Sequence, residues 1–430
     1  MFLKSPTSVS LELTTKCNQK CIHCYNYWRS KNSLNYTLSK DELNRIIFDL
    51  KASEVMNLVI TGGEPFYFPD LLFYVIKKAQ ENNIKCTVNS NLTLISSIIA
   101  KKLKEYQVPV LTSLLSYKAD LHDEITCSPG SYTRLINSLK LLKEHDVPLA
   151  MNMVVMNKNS DHVFETGEYV FQELGISHFY ATIVRPSQRC SNYNKLELKP
   201  KSVFQMLDDL LRLQYEYSIS VDSLTTYPLC LSEDSLKYKE IFDKHQCTAG
   251  KSSCTVSAAG NIRPCGHSDI IYGNIFKGSL TNIWQRMTEW RDGSLLPVVC
   301  KSCRFVNKCS GGCRMLCKYC GDIAGVDPYA ARNDLPDDWL NENTSAKADR
   351  VNINSKYFIT KKIQFREEPD GVLLKHNMRL VTYDSAKLLI KLKNEIFTIR
   401  GVSQEFNLDQ LSLQEFFSVL LENNLIEERR

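Results

Sequence analysis

The stretch Val9-Ser-Leu-Glu-Leu13-Thr-Thr-Lys-Cys17-Asn-Gln-Lys-Cys21-Ile-His-Cys24 decides how the rest of the chain is read. Val9–Leu13 has the alternation of a strand. It runs straight into C-x3-C-x2-C. Close-spaced cysteines at a strand's carboxyl end sit where α/β folds place their active sites. A [4Fe–4S] cluster normally takes four thiolates. Three leave one iron open to a small molecule, by the same logic that leaves an open position on a catalytic zinc. The spacing by itself also suits a structural zinc site or three unrelated thiols.

Outward from this stretch, strand-like and helix-like segments alternate. Strands are expected at Val9–Leu13, Leu58–Thr61, Lys85–Asn89, Val110–Leu115, Leu149–Val155 and Phe179–Val184. Ser39 with Glu42 forms a capping box ahead of an apolar face made by Leu43, Ile46, Ile47 and Leu50. Asp70 is expected to cap a second helix. Ser131 is expected to start a third that carries Leu135, Leu139 and Leu142, and another follows Pro200. Six strands alternating with helices argue for an α/β fold on a parallel sheet, open or barrel-like.

The 430 residues suit two or three domains, and 43% hydrophobic content is ordinary for a globular chain. A net charge of +5 gives little reason to expect nucleic acid as partner. No segment approaches the ~18 apolar residues of a membrane span. Met1 to Cys17 lacks a signal-peptide apolar region, so a cytoplasmic location is expected. Sixteen cysteines, many in short-spaced clusters, fit metal or iron–sulfur ligation better than disulfides. Cys86, Cys127, Cys190 and Cys230 stand apart and read as buried small residues, with Cys190 the best placed to line a cavity.

At the end of the second strand stands Gly62-Gly63-Glu64-Pro65. Glycines let the backbone approach a ligand, and a glutamate pairs with an ammonium. With the cysteine triplet, this motif resembles the radical S-adenosylmethionine (SAM) superfamily, and the zinc alternative recedes. His23 takes the aromatic place before the last cysteine. The resemblance implies a partial (β/α)6 TIM-like barrel in which Cys17, Cys21 and Cys24 hold a [4Fe–4S] cluster. Gly62, Gly63, Glu64 and Pro65 would contact the SAM amino group, Asn89 and Ser90 would lie close by, and Ser116 would contact its carboxylate. In the family, reductive SAM cleavage yields a 5′-deoxyadenosyl radical that removes a substrate hydrogen atom. No residue is read as a catalytic acid or base.

From Cys247 to about Tyr329 cysteine and glycine rise and periodicity fades, as in a domain organised around metal. Gly260-Asn-Ile-Arg-Pro-Cys265, the run Cys300-x2-Cys303-x5-Cys309-x3-Cys313 and Ser310-Gly-Gly-Cys313-Arg resemble the SPASM domain, which carries two auxiliary [4Fe–4S] clusters. The resemblance assigns Cys247, Cys254, Cys265 and Cys313 to the first, and Cys300, Cys303 and Cys309 to the second. The family's last cysteine follows Asp-Pro-x, and here Ala330 holds that place. Cys320 is the favoured substitute, with Cys317 or an open iron as alternatives. A zinc-ribbon-like module is the competing reading of the region.

A polar stretch, 334–354, reads as a linker. Beyond it, strand-like Val372–Lys375, helix-like Tyr383–Leu392 and amphipathic Ser412–Glu422 before Asn423-Asn424 make a small winged-helix-like unit. It resembles the PqqD-like peptide-recognition domain, whose edge strand and helix grip a leader peptide by strand addition. The expected layout is a radical SAM core over 1–235, a SPASM domain over 236–333, the linker, and the PqqD-like domain over 355–430.

Together the resemblances imply oxidative crosslinking or thioether formation in a ribosomally synthesised precursor peptide, its leader held by the C-terminal domain. A flavodoxin- or ferredoxin-type reductant is implied, and neither nucleic acid nor membrane is an expected partner. Two other readings are a maturase of a folded client such as a sulfatase, and a non-catalytic regulator or nucleic-acid binder with structural metal.

Overall fold

The computed structural model describes residues 2–26, 35–186, 193–231, 235–244, 246–331, 351–360, 365–369, 371–374, 379–381, 383–422 and 425–429. Cys190, most of the expected linker, Lys375 and Asn423-Asn424 lie outside the described residues. The chain divides into two compact units, Ser5–Leu335 and a second formed by Met1–Lys4 with Pro336–Arg430.

In the larger unit strands alternate with helices in sequence order: β1 (Ser8–Glu12), α1 (Lys40–Ala52), β2 (Asn57–Thr61), α2 (Pro69–Glu81), β3 (Lys85–Asn89), α3 (Ser97–Glu105), β4 (Val110–Ser113), α4 (Ala119–Thr126), α5 (Ser131–Glu144), β5 (Leu149–Val155), α6 (Val163–Gln172) and β6 (His178–Ile183). The expected strands are found within two residues at each end. Helix α7 (Pro200–Tyr217) carries proline at its first turn and leads to a short parallel edge strand, β7 (Ser220–Asp222), which periodicity does not reveal. Each neighbouring pair from β1 to β7 is parallel, which gives the sheet of a partial TIM barrel.

The Ser39–Glu42 capping box is present, and α1 buries Leu43, Ile46, Ile47 and Leu50. Asp70 does not cap α2. Pro69 takes the first helical position after Phe68, and Asp70 is a first-turn acid that favours the helix dipole instead.

The cysteine-rich segment extends this sheet. Strand β8 (Ser253–Val256) pairs parallel with β1, then β9 (Asn261–Arg263) and β10 (Gly273–Asn274) follow antiparallel, to make one sheet of ten strands. An expected division at residues 235–236 is therefore not a gap in packing: Ser5–Leu335 is one unit. A buried ion pair between Glu12 at the end of β1 and Arg263 on β9 ties the two parts together. Arg263 also donates to the Gly266 and Ser268 carbonyls at 3.0 and 2.7 Å, which fixes the turn after Cys265.

The smaller unit has two three-stranded antiparallel sheets. One runs β15 (Ile396–Phe397), β11 (Tyr357–Ile359), β16 (Ile426–Glu428); the other runs β12 (Phe365–Glu368), β13 (Gly371–Leu374), β14 (Arg379–Val381). Helices α8 (Tyr383–Leu392), α9 (Ile399–Phe406) and α10 (Gln410–Glu422) complete it, around Leu389, Phe397, Ile399, Phe417 and Ile426. Among the described residues no helix is long and apolar enough to cross a membrane.

Candidate active site

The carboxyl ends of the strands surround a cavity of about 520 Å³, within the roughly 300–1,000 Å³ usual for ligand sites. Its wall brings together Cys17, Cys21 and Cys24, Gly62 to Glu64, and Asn89 to Asn91. Residues from β4, β5, β6 and β8 complete it, with Gly266 and His267 from the turn after Cys265. The cysteine loop and the Gly62–Glu64 turn are locked to each other. Gly63 N–H donates to Thr14 O at 2.6 Å, Glu64 N–H to Lys16 O at 2.8 Å, and Asn26 Nδ2 to Gly62 O at 2.8 Å. A Cβ on Gly63 would stand 2.0 Å from Lys16 O, and Gly62 holds φ +134°. Only glycine permits this approach.

Glu64 is buried at the centre of that turn. It accepts from Phe66 N–H at 2.9 Å, Ser90 Oγ at 2.8 Å and Asn91 N–H at 2.9 Å. Burial pushes its carboxyl up to about 7, against the downward pull of these donors. Three donors fix its orientation while the group still lines the cavity, an arrangement suited to a cationic ligand.

The triplet's loop is braced from behind. Gln19 N–H lies 3.5 Å from Cys17 Sγ, and Cys21 Sγ lies 3.5 Å from Gln19 Oε1. Gln19 Nε2 donates to Ser131 Oγ at 2.6 Å, which lies 3.2 Å from His122 Nε2. Leu115 N–H donates to His122 Nδ1 at 3.3 Å, so the ring's proton is assigned to Nε2. Burial holds His122 down at about 4, so the imidazole is neutral. His23 Nδ1 is buried with no hydrogen-bond partner among the described residues.

The three thiols face one cavity beside a cradle that a side chain would fill, and this fits a SAM-binding [4Fe–4S] cluster. No three His, Cys, Asp or Glu side chains among the described residues approach closely enough to hold a single metal ion. Thiolates on a four-iron cube stand farther apart than those on one ion.

Asn89 and Ser90 lie on the cavity wall, as does Asn91, while Pro65 is buried and begins a short turn behind it. Ser116 is placed differently from expectation. It is fully buried and its hydroxyl accepts from Lys118 N–H at 3.0 Å; the β4 serine on the wall is Ser113.

Among the polar groups on this wall that sequence reasoning missed, three stand out. Glu12 is one, pushed up to about 7 by burial against the pull of Arg263. His267 is another, its ring tilted against that of Tyr25 with the centroids 4.8 Å apart. The third is Arg185, only 7% exposed. Its Nη2 donates to Thr226 O at 3.0 Å, while Nε and Nη1 have no hydrogen-bond partner among the described residues. Those two donors are shielded from solvent, and the guanidinium lies over the Tyr329 ring with Cys313 and Asp327 nearby. Arg185 follows β6 by two residues, the one positional hint in the sequence.

Farther along, the auxiliary cysteines fall into groups. Cys247 and Cys265 are pushed up chiefly by burial, with the neighbouring Cys313 adding to both. Cys254 stands on β8 in register with Val9, and burial alone raises its thiol to about 12. Side chains alternate along a strand and Thr255 lines the cavity, so Cys254 points to the opposite face. Cys300 and Cys303 share a tight turn, Cys303 N–H donating to Cys300 O at 3.1 Å. Cys309 is nearby, with Cys300 and Cys230 as its neighbouring thiols. Cys320 is exposed.

Known proteins resemble this chain in sequence and fold. Residues 11–169 match the radical SAM superfamily, and residues 247–304 match the iron–sulfur cluster-binding domain called SPASM. An AdoMet-dependent heme synthase of Methanosarcina barkeri is 25% identical over 340 residues, covering 76% of this chain and 96% of that protein. The antilisterial bacteriocin subtilosin biosynthesis protein AlbA of Bacillus subtilis is 27% identical over 297 residues, 65% of this chain and 59% of its own length. Streptococcus suis SuiB, solved bound to precursor peptide SuiA, shares the fold with a TM-score of 0.61 at 20% identity, covering 77% of each chain.

Proposed function

We propose that this chain, which belongs to the radical SAM superfamily and carries a SPASM domain, oxidatively modifies a ribosomally synthesised precursor peptide by crosslink or thioether formation. The observation that carries the reading is the single cavity on whose wall the triplet, the Gly62–Glu64 turn and the Cys265 turn meet. Membership makes the chain an enzyme, so the non-catalytic regulator weighed from sequence falls away.

The cluster on Cys17, Cys21 and Cys24, with SAM, supplies a 5′-deoxyadenosyl radical when bound. The chain's own residues do the rest. Glu64, oriented by Phe66, Ser90 and Asn91, holds the SAM ammonium. Arg185 lines the wall from the β6 side. The apolar parts of the wall, Leu111, Val154 and Ile183 among them, keep water from the reacting carbon. The C-terminal unit, as a PqqD-like domain, holds the leader, and tethering raises the local concentration of the core peptide. The location is cytoplasmic, with a flavodoxin or ferredoxin as electron donor.

A second reading, tetrapyrrole chemistry, is favoured by the coverage of the heme synthase relative. That relative matches 76% of this chain, which leaves roughly a quarter without a counterpart. The test is anaerobic incubation of the reconstituted enzyme, SAM and reductant with either a short peptide encoded beside this gene or an iron porphyrin. The peptide reading expects loss of hydrogen from the peptide alone, and chemistry on the porphyrin alone overturns it. Removal of residues after Asn354 should abolish peptide processing; unchanged processing would favour a folded client.

A further inference from the structure

The second auxiliary site is one thiolate short. Cys300, Cys303 and Cys309 supply three, and Ala330 stands where the family pattern supplies the fourth. The sequence favours Cys320 as a substitute, but its surroundings do not. Cys320 is exposed, and its neighbouring charges are Glu197 and Asp327. Cys317 is buried one helical turn after Cys313, its backbone N–H donating to Cys313 O at 3.1 Å, on the side of the other cysteine group.

Cys230 is differently placed. It lies in the short turn Leu229–Leu231, after β7. The N–H of the adjoining Leu229 donates to Cys309 Sγ at 3.4 Å. The N–H of Ala331 donates to Cys230 O at 3.0 Å. The segment that would carry the family's last cysteine is thus docked on the backbone of Cys230, beside a ligand of the second site. Cys230 and Cys300 are among the thiols close enough to Cys309 to raise its pKa.

We propose that Cys230 supplies the fourth thiolate to the iron–sulfur cluster on Cys300, Cys303 and Cys309, in place of the cysteine lost at Ala330. The inference rests on the SPASM assignment and is independent of the substrate. It also makes the cluster a staple between the end of the parallel sheet and the cysteine-rich segment.

The test uses the full chain, anaerobically reconstituted, with Cys17, Cys21 and Cys24 changed to alanine so that only auxiliary clusters contribute. Into it go C230S, C230A, C317A and C320A. Iron content and the EPR spectrum of the reduced protein are read for each. C230S and C230A should alter one reduced signal and, on mild oxidation, give a [3Fe–4S] signal with loss of about one iron per chain. C317A and C320A should leave that signal alone. Adding A330C to C230A should restore it. An unchanged spectrum in C230S overturns the assignment, as does the same change in C317A or C320A. A loss in C230A that A330C does not restore marks a packing role and overturns it too.

Discussion

Glu64 accepts three hydrogen bonds from the protein and still lines the cavity. A charged hydrogen bond is worth about 1.5–3 kcal/mol. E64Q should therefore weaken SAM binding by roughly ten- to a hundredfold, read by calorimetric titration, with iron content unchanged. Gly63 allows no side chain, because Lys16 O would lie 2.0 Å from a Cβ and belongs to backbone. G63A should abolish SAM binding while overall helicity, measured by circular dichroism, persists. These residues were legible because their chemistry is local: a loop of cysteines and a glycine turn carry their spacing with them. Ser116 was misread for the opposite reason. Ser116 lies three residues past Ser113, in the loop beyond the end of β4, and only the fold shows that Ser113 reaches the cavity wall. Cys230 was illegible because its neighbour Cys309 is distant in sequence and meets it only in the fold.

The strands β1 to β6 were legible from alternation and length, and the Ser39 capping box from its own two residues. The pairing of β8 with β1 was not, since no local pattern marks contacts between strands so far apart in sequence. Its polar fastening is Glu12 with Arg263, whose side chains are 2% and 0% exposed. Removing one member of a buried pair leaves the other uncompensated. E12A should cost about 3–5 kcal/mol, read by denaturant unfolding, and the double variant E12A/R263M should cost less than R263M and E12A summed. His122 links β4's carboxyl end to α5. Burial lowers its pKa from 6.5 to about 4. The unfolded chain takes up a proton below about pH 6.5 that the folded chain refuses, so stability falls as pH drops from there towards 4. The effect should reach on the order of 3 kcal/mol. Acid titration followed by circular dichroism should show H122Q to be less acid-sensitive than the parent chain.

At the scale of the molecule, one unit carries the chemistry and the other a separate core. Composition and cysteine clustering indicated the cysteine-rich segment, but its fusion with the barrel sheet emerges only from β8. If the C-terminal unit serves as leader clamp, a chain ending at Asn354 should still cleave SAM to 5′-deoxyadenosine yet lose affinity for a leader-bearing peptide. Peptide oxidation in this cavity is tested by high-resolution mass spectrometry of a leader-bearing candidate peptide from a reading frame beside the gene, after anaerobic incubation with reconstituted enzyme, SAM and reductant. Loss of two hydrogens per bond formed is expected, matched by 5′-deoxyadenosine and absent when Cys17, Cys21 and Cys24 are replaced by alanine. A peptide of unchanged mass in the presence of active SAM cleavage would contradict it.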